Sequence, residues 1–258
     1  MNIQSSLLQE YPEVHHGSTT GDNLKLQYKT NSAATKLIFD PALFEQKTGI
    51  PQTAKKFFIQ QEHTAHIEII DQQKVDQHTV DDTSMFMSTD GMVTNIPDMY
   101  LVMYSSDCMP VFLYDPKHKA VGIAHAGREG TRKKIITEIV SVMQEAYSSE
   151  PKEIKIFIGP SICGNCYPVS KEVAEGFADY EKDCVLTLTN PDGMGRDVLL
   201  DLHKVALTQL GTVGVNPKNI EIAQECTFEQ PGRFPSYRRD GKEGRDDTIW
   251  SFISLRSL

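Results

Sequence analysis

Short runs of β-branched and aromatic residues dominate the first half of the chain. Runs of four to seven such residues are typical of β-strands. They predict strands at residues 57–60, 66–70, 100–106, 111–115 and 120–125. The polar stretch over residues 71–89 has no comparable apolar run and predicts a long exposed loop.

Helical patterns follow in the second half. Over residues 129–147 the apolar side chains recur at spacings of three and four, which predicts one long helix with a single apolar face: Ile135, Ile136, Ile139, Val140, Met143 and Tyr147. Further helices are predicted at 170–180, with Ser170 as the N-cap, and at 197–210. Strands are predicted before the Gly159–Pro160 turn and at 219–223. Because strands and helices are mixed throughout, we predict layered α/β structure in a single domain.

The charge balance is acidic, with 26 basic and 35 acidic side chains, a net charge of −9 and a pI near 5.4. This argues against a nucleic-acid-binding surface, while a local basic pocket for one anionic ligand is still compatible with it. No run approaches the roughly 20 apolar residues of a membrane span, and the first residues lack a signal-peptide pattern. Five cysteines, an odd number, favour reduced thiols. We therefore expect a cytoplasmic protein that binds neither nucleic acid nor membranes.

Cys108 and His125 are the first candidates for chemistry. Cys108 follows one predicted strand and His125 ends another, and the segment between them reads as strand, turn at Asp115–Pro116, strand. A hairpin of this length folds back on itself, so the two side chains are expected at the same edge of a sheet. The pair suits a thiolate–imidazole couple or two metal ligands, and structural roles for both residues are the alternative.

The setting of His125 in HAGREGT favours function. Ala126 and Gly127 are small residues between a strand end and a helix start. A helix amino terminus offers unpaired N–H groups and partial positive charge, which suit an anion. A histidine beside such a position is expected to act on the anion rather than to serve packing alone.

His63 and His66 lie at the turn between two predicted strands. Their spacing of three points them to opposite faces of an extended chain, so only one of them can join Cys108 and His125. One cysteine and two histidines would form a three-ligand zinc site with an open fourth position, as in catalytic zinc sites. Sequence spacing alone does not show that these loops converge.

Two further motifs leave alternatives open. Cys163 and Cys166 form a Cys-x-x-Cys without a second pair at zinc-ribbon spacing, so a structural role competes with a redox or metal role. Residues 236–245 place three arginines among glycines, as either a solvated loop or a clamp for phosphate or carboxylate. His15, His16 and His118 are expected in exposed loops.

Taken together, the motifs extend from about residue 16 to residue 250, and their order and spacing are more specific than any one of them. They read HHGSTTGD, QEH, DGMVTN, SDCMPVFLYDP, AHAGREGT, IGPSICGNCYPV and CTFEQPGRFPSYRRDGKEGRDDTIW. In these motifs the sequence resembles the laccase-domain family, also called polyphenol oxidase or YfiH-like proteins. Members of this family are now regarded largely as purine nucleoside phosphorylases.

The resemblance implies a single-domain, layered α–β sandwich with mixed sheets that spans residues 1–258. The family's metal ligands fall on His63, Cys108 and His125, which implies that these residues bind zinc and are catalytic; copper is claimed for some relatives. The implied reaction is phosphorolysis of adenosine, inosine, guanosine or methylthioadenosine, with adenosine deamination alongside. The implied partners are therefore purine nucleosides and phosphate.

Two positions depart from the family pattern. Members commonly read HAGWRG and Ser-Thr-Arg where this chain has Arg128-Glu129 and Thr20, so two usual positive charges are missing. Phosphate binding would then depend on a compensating arginine, and we predict that Arg128 contacts substrate, as do the three residues Asp107, Arg238 and Arg239. Asp107 could equally be a strand-end turn residue.

Three other functions compete with phosphorolysis. A cysteine-type hydrolase would use Cys108 as nucleophile and His125 as base. A copper-dependent polyphenol oxidase would need several coppers and many histidines, whereas one cysteine and two histidines assemble here. A scaffold that has lost activity is the third alternative, and it would release no free base.

Overall fold

The structure is a computed structural model that describes residues 2–21, 24–25, 27–30, 35–180, 184–187, 195–196, 198–241 and 247–257. Asp197, the first residue of the helix predicted at 197–210, lies outside these ranges. Arg245 of the predicted anion clamp also lies outside them. Within the described ranges, every helix is too short or too polar to cross a membrane.

The strands are numbered along the chain. They are β1 Val14–Ser18, β2 Leu24–Lys25, β3 Gln27–Thr30, β4 Thr35–Ile38, β5 Lys55–Ile59, β6 Ile67–Ile69, β7 Met85–Phe86, β8 Gly91–Thr94, β9 Met99–Ser105, β10 Met109–Asp115, β11 Ala120–Ala126, β12 Lys155–Ile158, β13 Pro168–Val169, β14 Val185–Thr187, β15 Val198–Leu200, β16 Ile220–Ile222 and β17 Asp247–Leu255.

The helices lie mainly between these strands. They are α1 Ser6–Gln9, α2 Pro41–Thr48, α3 Gln72–Gln77, α4 Arg128–Arg132, α5 Ile135–Tyr147, α6 Lys171–Glu175, α7 Leu202–Thr212 and α8 Tyr237–Asp240. Single 3-10 turns occur at Pro151–Glu153, Gly164–Cys166 and Pro217–Asn219.

Two large sheets form the centre of the fold, each with six strands among the described residues. The first has the order β1-β17-β9-β5-β7, with β2 also paired to β17, and the second has the order β16-β12-β10-β11-β8-β6. Both sheets are mixed, since β5 pairs parallel to β9 whereas β17 pairs antiparallel to it, and β12 pairs parallel to β16. The predicted α/β class with layered mixed sheets is confirmed.

Apolar side chains fill the space between and outside the sheets. Leu101 and Met103 of the first sheet pack in one cluster with Phe112 and Tyr114 of the second. On the outer face of the second sheet, α5 and α7 bury a further cluster, and on the outer face of the first sheet α2 packs around Trp250. A strand such as β10 is therefore buried on both faces along its whole length.

The strands predicted in the first half of the chain are all present, with ends that differ by one or two residues. The single helix predicted over residues 129–147 is wrong, because Lys134 adopts a left-handed backbone (φ 67°) and separates α4 from α5. The apolar positions that suggested the long helix all belong to α5, which lies on the second sheet. The break lets α4 take a separate direction beside the end of β11.

Three other local predictions also need correction. The predicted loop over residues 71–89 contains α3, whose amino terminus Asp71 caps, and β7. The predicted helix at 197–210 begins with β15, where buried and half-buried positions alternate, before Asp201 caps α7. His15 and His16 are on β1, and His16 is 1% exposed, with its Nε2 accepting the Ser5 N–H at 2.8 Å.

Candidate active site

His63, Cys108 and His125 come together at one edge of the two sheets, and we call them the His/Cys cluster. One donor atom from each residue lies within 4.8 Å of the others. The Cys108 Sγ is 4.0 Å from the His63 Nε2, and the two imidazole rings have their centroids 4.9 Å apart. The convergence that spacing alone did not show is thus present in the fold.

Two connections from the first sheet to the second bring these residues together. His63 lies where the chain passes from β5 of the first sheet to β6 of the second, and Cys108 lies where it passes from β9 to β10. The β10–β11 hairpin sets Pro110 opposite His125, as the predicted hairpin required. His66 instead lies outside the cluster, where its Nε2 is 3.3 Å from Glu68 Oε2.

Two residues of the site have a left-handed backbone. His63 has φ 55° and Asp107 has φ 80°, and such conformations cost on the order of 1–3 kcal/mol for residues with a side chain. Hydrogen bonds hold both residues in place. The His63 carbonyl accepts from Lys133 Nζ at 2.8 Å, and the Asp107 carbonyl accepts from the Ile162 N–H at 2.9 Å.

Asp90 is a site residue that the sequence reasoning missed. Its fully buried carboxylate accepts hydrogen bonds from three consecutive backbone N–H groups at residues 62–64, at 2.7–3.1 Å. The same carboxylate lies 2.8 Å from the His125 Nδ1, so it orients the His125 ring as well as the backbone that carries His63. A charged residue directly before the buried strand β8 was the sequence signal that could have identified it.

The neighbours of Cys108 favour its ionised form. Burial opposes the thiolate, but His125 and His63 outweigh it and lower the pKa of Cys108 to about 6. Burial likewise opposes a charged His125, but Cys108 and Asp90 raise the pKa of this imidazole to about 9. Without a metal the cluster is therefore a thiolate beside an imidazolium.

The donor set and its surroundings fit a metal ion. Zinc bonds of about 2.0–2.3 Å to nitrogen and sulfur place ligand atoms within about 4 Å of one another, as in the His63–Cys108 pair. Because Nδ1 of His125 is bonded to Asp90, its Nε2 can serve as the ligand atom. Gly127 closes on the donors so tightly that a Cβ there would be 2.8 Å from both Cys108 Sγ and His63 Cδ2.

A cavity of about 510 Å³ opens in front of the cluster, within the size range of small-molecule sites. Polar, charged and aromatic side chains line it: Gln61, His63, Tyr104, Ser105, Ser106, Asp107, Cys108, His125, Arg128, Glu129, Tyr167, Tyr237, Arg238 and Thr248. A larger cavity of about 660 Å³ lies between the amino-terminal segment and β16, but it holds none of the predicted site residues.

Arg128 and Arg238 both interact with Tyr167 in the cavity wall. The Arg238 guanidinium lies over the Tyr167 ring at 4.5 Å and donates to the Pro168 carbonyl. Burial raises the pKa of Tyr167, and the positive charges of Arg128 and Arg238 oppose this rise. Glu129 accepts from Arg128 Nε at 3.2 Å. The cavity lining thus contains two arginines and two carboxylates, those of Asp107 and Glu129.

Asp107 and Arg239 are fixed by the surrounding loops. Asp107, at the cavity wall, accepts from Thr227 Oγ1 at 2.6 Å and from the Arg238 N–H at 2.7 Å. Arg239 is not among the residues that line the cavity. Its guanidinium donates to the carbonyls of Thr227, Phe228 and Phe234 and to the Asp240 carboxylate, so the structure places it as a loop-holding residue.

Comparison with known proteins identifies relatives over almost the whole chain. A family model described as multi-copper polyphenol oxidoreductase laccase matches residues 15–256. The purine nucleoside phosphorylase YlmD of Bacillus subtilis is 32% identical over 200 residues, which cover 77% of this chain and 70% of the relative. A purine nucleoside phosphorylase of Haemophilus influenzae is 27% identical over 245 residues, covering 94% of this chain and 88% of that protein.

A solved structure has the same fold. The crystal structure of the Bacillus licheniformis hypothetical protein YfiH matches this chain with a TM-score of 0.77 at 25% identity, covering 96% of this chain and 95% of that one. The arrangement of layers and mixed sheets is therefore shared with a protein of similar length.

Proposed function

Because the chain belongs to the family described as multi-copper polyphenol oxidoreductase laccase, we propose that it is a zinc-dependent purine nucleoside phosphorylase. Its proposed substrates are phosphate and adenosine, inosine, guanosine or methylthioadenosine. The names of the Bacillus subtilis and Haemophilus influenzae relatives support this reaction. The observation that carries the proposal is one cavity that combines the His/Cys cluster with two arginines and three tyrosines.

Phosphorolysis exchanges one bond for another at the ribose. A phosphate oxygen bonds to the anomeric carbon while the bond from that carbon to the purine nitrogen breaks. The electron pair of the broken bond leaves with the purine, which takes up a proton, and the products are free base and ribose 1-phosphate. The site must therefore hold an anion beside the sugar and position a planar base.

Arg128 and Arg238 are the proposed phosphate ligands. A guanidinium has five N–H donors, so the bond from Arg238 to the Pro168 carbonyl leaves donors for an anion. Charge-assisted bonds from arginine to phosphate are strong and directional. Asp107 holds the Arg238 backbone and thereby supports its position, which gives Asp107 a positioning role in this proposal.

Tyr167 and Tyr237 are the proposed base-binding residues. Both rings line the cavity, and Tyr237 is 48% exposed at its wall. Stacking of a base on an aromatic ring contributes about 1–3 kcal/mol and tolerates different bases, which suits several purine nucleosides.

His63, Cys108 and His125 would hold zinc, for which one thiolate and two imidazoles are suitable donors. Zinc, when bound, would supply Lewis-acid polarisation of a substrate oxygen or nitrogen. Asp90 would keep the His125 ring in the orientation that presents Nε2. We prefer zinc to copper because copper oxidases need several coppers with histidine-rich ligation. The same site is proposed to deaminate adenosine, with water in place of phosphate.

A cysteine-type hydrolase is the second candidate, and one observation favours it. Asp90, His125 and Cys108 form a carboxylate–imidazole–thiolate series, with the pKa of Cys108 lowered to about 6. This is the arrangement of an activated nucleophile. Zinc bound at Cys108 would count against it, because a metal-bound thiolate is not free to attack.

The decisive assay incubates the purified protein with the four nucleosides, with and without phosphate, and identifies products by liquid chromatography–mass spectrometry. We expect free base and ribose 1-phosphate, or its methylthio analogue, only when phosphate is present. Cys108→Ala should lower this rate by about 10³-fold or more, because the metal site loses its only thiolate. Cys184→Ala is the matched control, since Cys184 is buried in the apolar core.

Other outcomes would replace the proposal. Inosine formed from adenosine without phosphate would indicate a deaminase, and phenol oxidation with copper and oxygen would indicate the oxidase. Cleavage of ester or amide substrates that needs Cys108 but no metal would indicate the hydrolase. A folded protein that turns over none of these substrates would indicate a scaffold.

The five free cysteines agree with action in a reducing compartment such as the cytoplasm.

A further inference from the structure

A second group of donor atoms lies outside the cavity lining. It joins three thiols and one carboxylate, and we call it the thiol cluster: Cys163, Cys166, Cys226 and Glu229. One donor atom from each of these residues lies within 4.8 Å of the others. The cluster lies close to the protein surface, since Cys226 is 4% exposed while Cys163 and Cys166 are half-buried and Glu229 is exposed.

Two loops that are distant in sequence meet to form the thiol cluster. Cys163 precedes the 3-10 turn Gly164–Cys166, which ends at the second thiol of the Cys-x-x-Cys. The other loop is attached by a parallel bridge between Ser161 and Cys226. Hydrogen bonds fix the contact, because the Cys163 N–H donates to Cys226 Sγ at 3.3 Å and Cys166 Sγ donates to a Glu229 oxygen at 3.3 Å.

The composition of the thiol cluster argues against a role of its cysteines as ordinary apolar core residues. Cys184 shows that role in the same chain, since it is 1% exposed and belongs to an apolar cluster. Cys163 and Cys166 instead face two further polar donors near solvent. A Cys163–Cys166 disulfide would need an oxidant, and it would give no reason for Cys226 and Glu229 to complete the group.

We propose that the thiol cluster is a second metal site, which binds one thiophilic divalent cation such as Zn²⁺ through three thiolates and a carboxylate. Thiolates select Zn²⁺ among the common divalent ions, and four protein donors are typical of structural zinc sites. On binding, each thiol transfers its proton to solvent as its sulfur bonds to the metal. No oxidant or reductant takes part.

The site would fix two walls of the substrate cavity. Tyr167, which lines the cavity, directly follows Cys166, and Thr227, which bonds Asp107, directly follows Cys226. A metal ion at the thiol cluster would therefore tie these two segments together without contacting substrate. Its role is structural, which separates it from the His/Cys cluster.

The test measures metal content and needs no catalytic assay. Protein purified without chelator should contain about two zinc ions per chain by inductively coupled plasma mass spectrometry. Cys166→Ser should retain one zinc, Cys108→Ser should also retain one, and the double variant should retain none. Glu229→Gln, at an exposed position, provides a second variant of the thiol cluster, and Cys184→Ala should keep both ions.

Cobalt reports which site has been lost. After chelation and reloading with Co²⁺, absorption from thiolate-to-cobalt charge transfer should largely disappear in Cys166→Ser and persist in Cys108→Ser. One metal ion per wild-type chain that is retained in Cys166→Ser and lost in Cys108→Ser, or two metal ions in a folded Cys166→Ser, would overturn the proposal. A Cys163–Cys166 disulfide found by mass spectrometry in protein kept under reducing conditions would also overturn it. Because metal content is the readout, these results are independent of phosphorylase activity.

Discussion

The His/Cys cluster and the thiol cluster use the same residue type in different surroundings. In the first, Cys108 lies beside two imidazoles at the wall of a 510 Å³ cavity, and the buried carboxylate of Asp90 supports one of them. In the second, three thiols and Glu229 meet outside that cavity lining. The first arrangement leaves room for a substrate beside a metal, whereas the second supplies a full set of four donors.

The two clusters also differ in charge before any metal binds. Burial opposes ionisation of Cys108, but the adjacent imidazoles hold its pKa at about 6. At Cys163 and Cys166, burial raises the pKa, and the neighbouring thiols and carboxylate include no cation to offset it. The neighbours, more than the cysteine itself, thus determine whether a thiolate exists at neutral pH.

The largest expected effect tests Asp90, the buried carboxylate that supports His125 of the His/Cys cluster. In Asp90→Asn the His125 Nδ1 loses its charged acceptor, and the backbone at residues 62–64 loses the same support. Partners of this kind typically contribute 10–100-fold to metal affinity. We expect zinc affinity at the His/Cys cluster to fall by about that factor in competition titrations with a chelating dye, while zinc at the thiol cluster is retained.

Asp115→Asn is the matched control for this change. Asp115 is also fully buried and also lies 2.8 Å from a histidine Nδ1, that of His118. The Asp115→Asn substitution should lower the stability of the fold without changing the zinc affinity of the His/Cys cluster. An equal loss of affinity in both variants would mean that Asp90 acts only through global stability.

The ionisation contrast predicts a difference of about thirtyfold in the thiolate fraction at pH 7 between Cys108 and an ordinary thiol. A thiol with a pKa of about 6 is about 90% thiolate at pH 7, against about 3% for an ordinary thiol with a pKa near 8.5. As pH rises through 6, Cys108 loses its proton, so its alkylation should accelerate with a midpoint near that pH. Cys163 and Cys166, with raised pKa values, should react appreciably only at alkaline pH.

The measurement uses chelated protein, iodoacetamide and peptide mapping by mass spectrometry across pH 5–10. Cys184, which is 1% exposed, should remain unmodified until the protein is denatured and so reports unfolding. Faster labelling of Cys163 than of Cys108 at neutral pH would contradict the prediction that Cys108 is ionised and Cys163 is neutral at that pH.

The smallest effect concerns the fit of the backbone around the His/Cys cluster. In Gly127→Ala the new methyl would lie 2.8 Å from Cys108 Sγ and His63 Cδ2. These two side chains must therefore move away from the methyl group. Overpacking of this kind costs about 1–3 kcal/mol in unfolding free energy. We expect that loss in denaturant titrations, together with a fall in zinc affinity of about tenfold or less.

Gly211→Ala separates this clash from a general effect of removing glycine. Gly211 is in α7, and nothing lies within 4 Å of the position of its added Cβ. Alanine should stabilise that helix by up to about 1 kcal/mol and leave zinc binding unchanged. Identical behaviour of both variants would contradict the tight approach at Gly127.

Local sequence patterns predicted the parts of the fold that local forces determine. The β10–β11 hairpin that brings Cys108 close to His125 followed from two apolar runs around Asp115–Pro116. The break at Lys134 was missed because every apolar position that predicted the helix follows Lys134, and a left-handed residue has no effect on hydrophobic periodicity. The short strand β15 was merged into a helix because a run of apolar residues fits either structure.

The site required information of a different kind. That His63 rather than His66 meets Cys108 depends on a left-handed backbone and on the path between the sheets, and only the family resemblance indicated it in advance. The contacts of Asp90 join residues up to 35 positions apart, and no local pattern encodes them. The same holds for Cys226 and Glu229, whose proximity to the Cys-x-x-Cys arises from the Ser161 bridge.

The position of His63 and Cys108 in connections between the two sheets makes the His/Cys cluster sensitive to the thickness of the protein interior. His63 and Cys108 each lie in a segment that leaves the first sheet and enters the second. The spacing of the sheets is set by side chains between them, such as Leu101 and Phe112. A change in the volume of one of these remote residues would alter the distance between the donors. The metal preference of the site can therefore diverge among relatives by interior mutation, with every ligand retained.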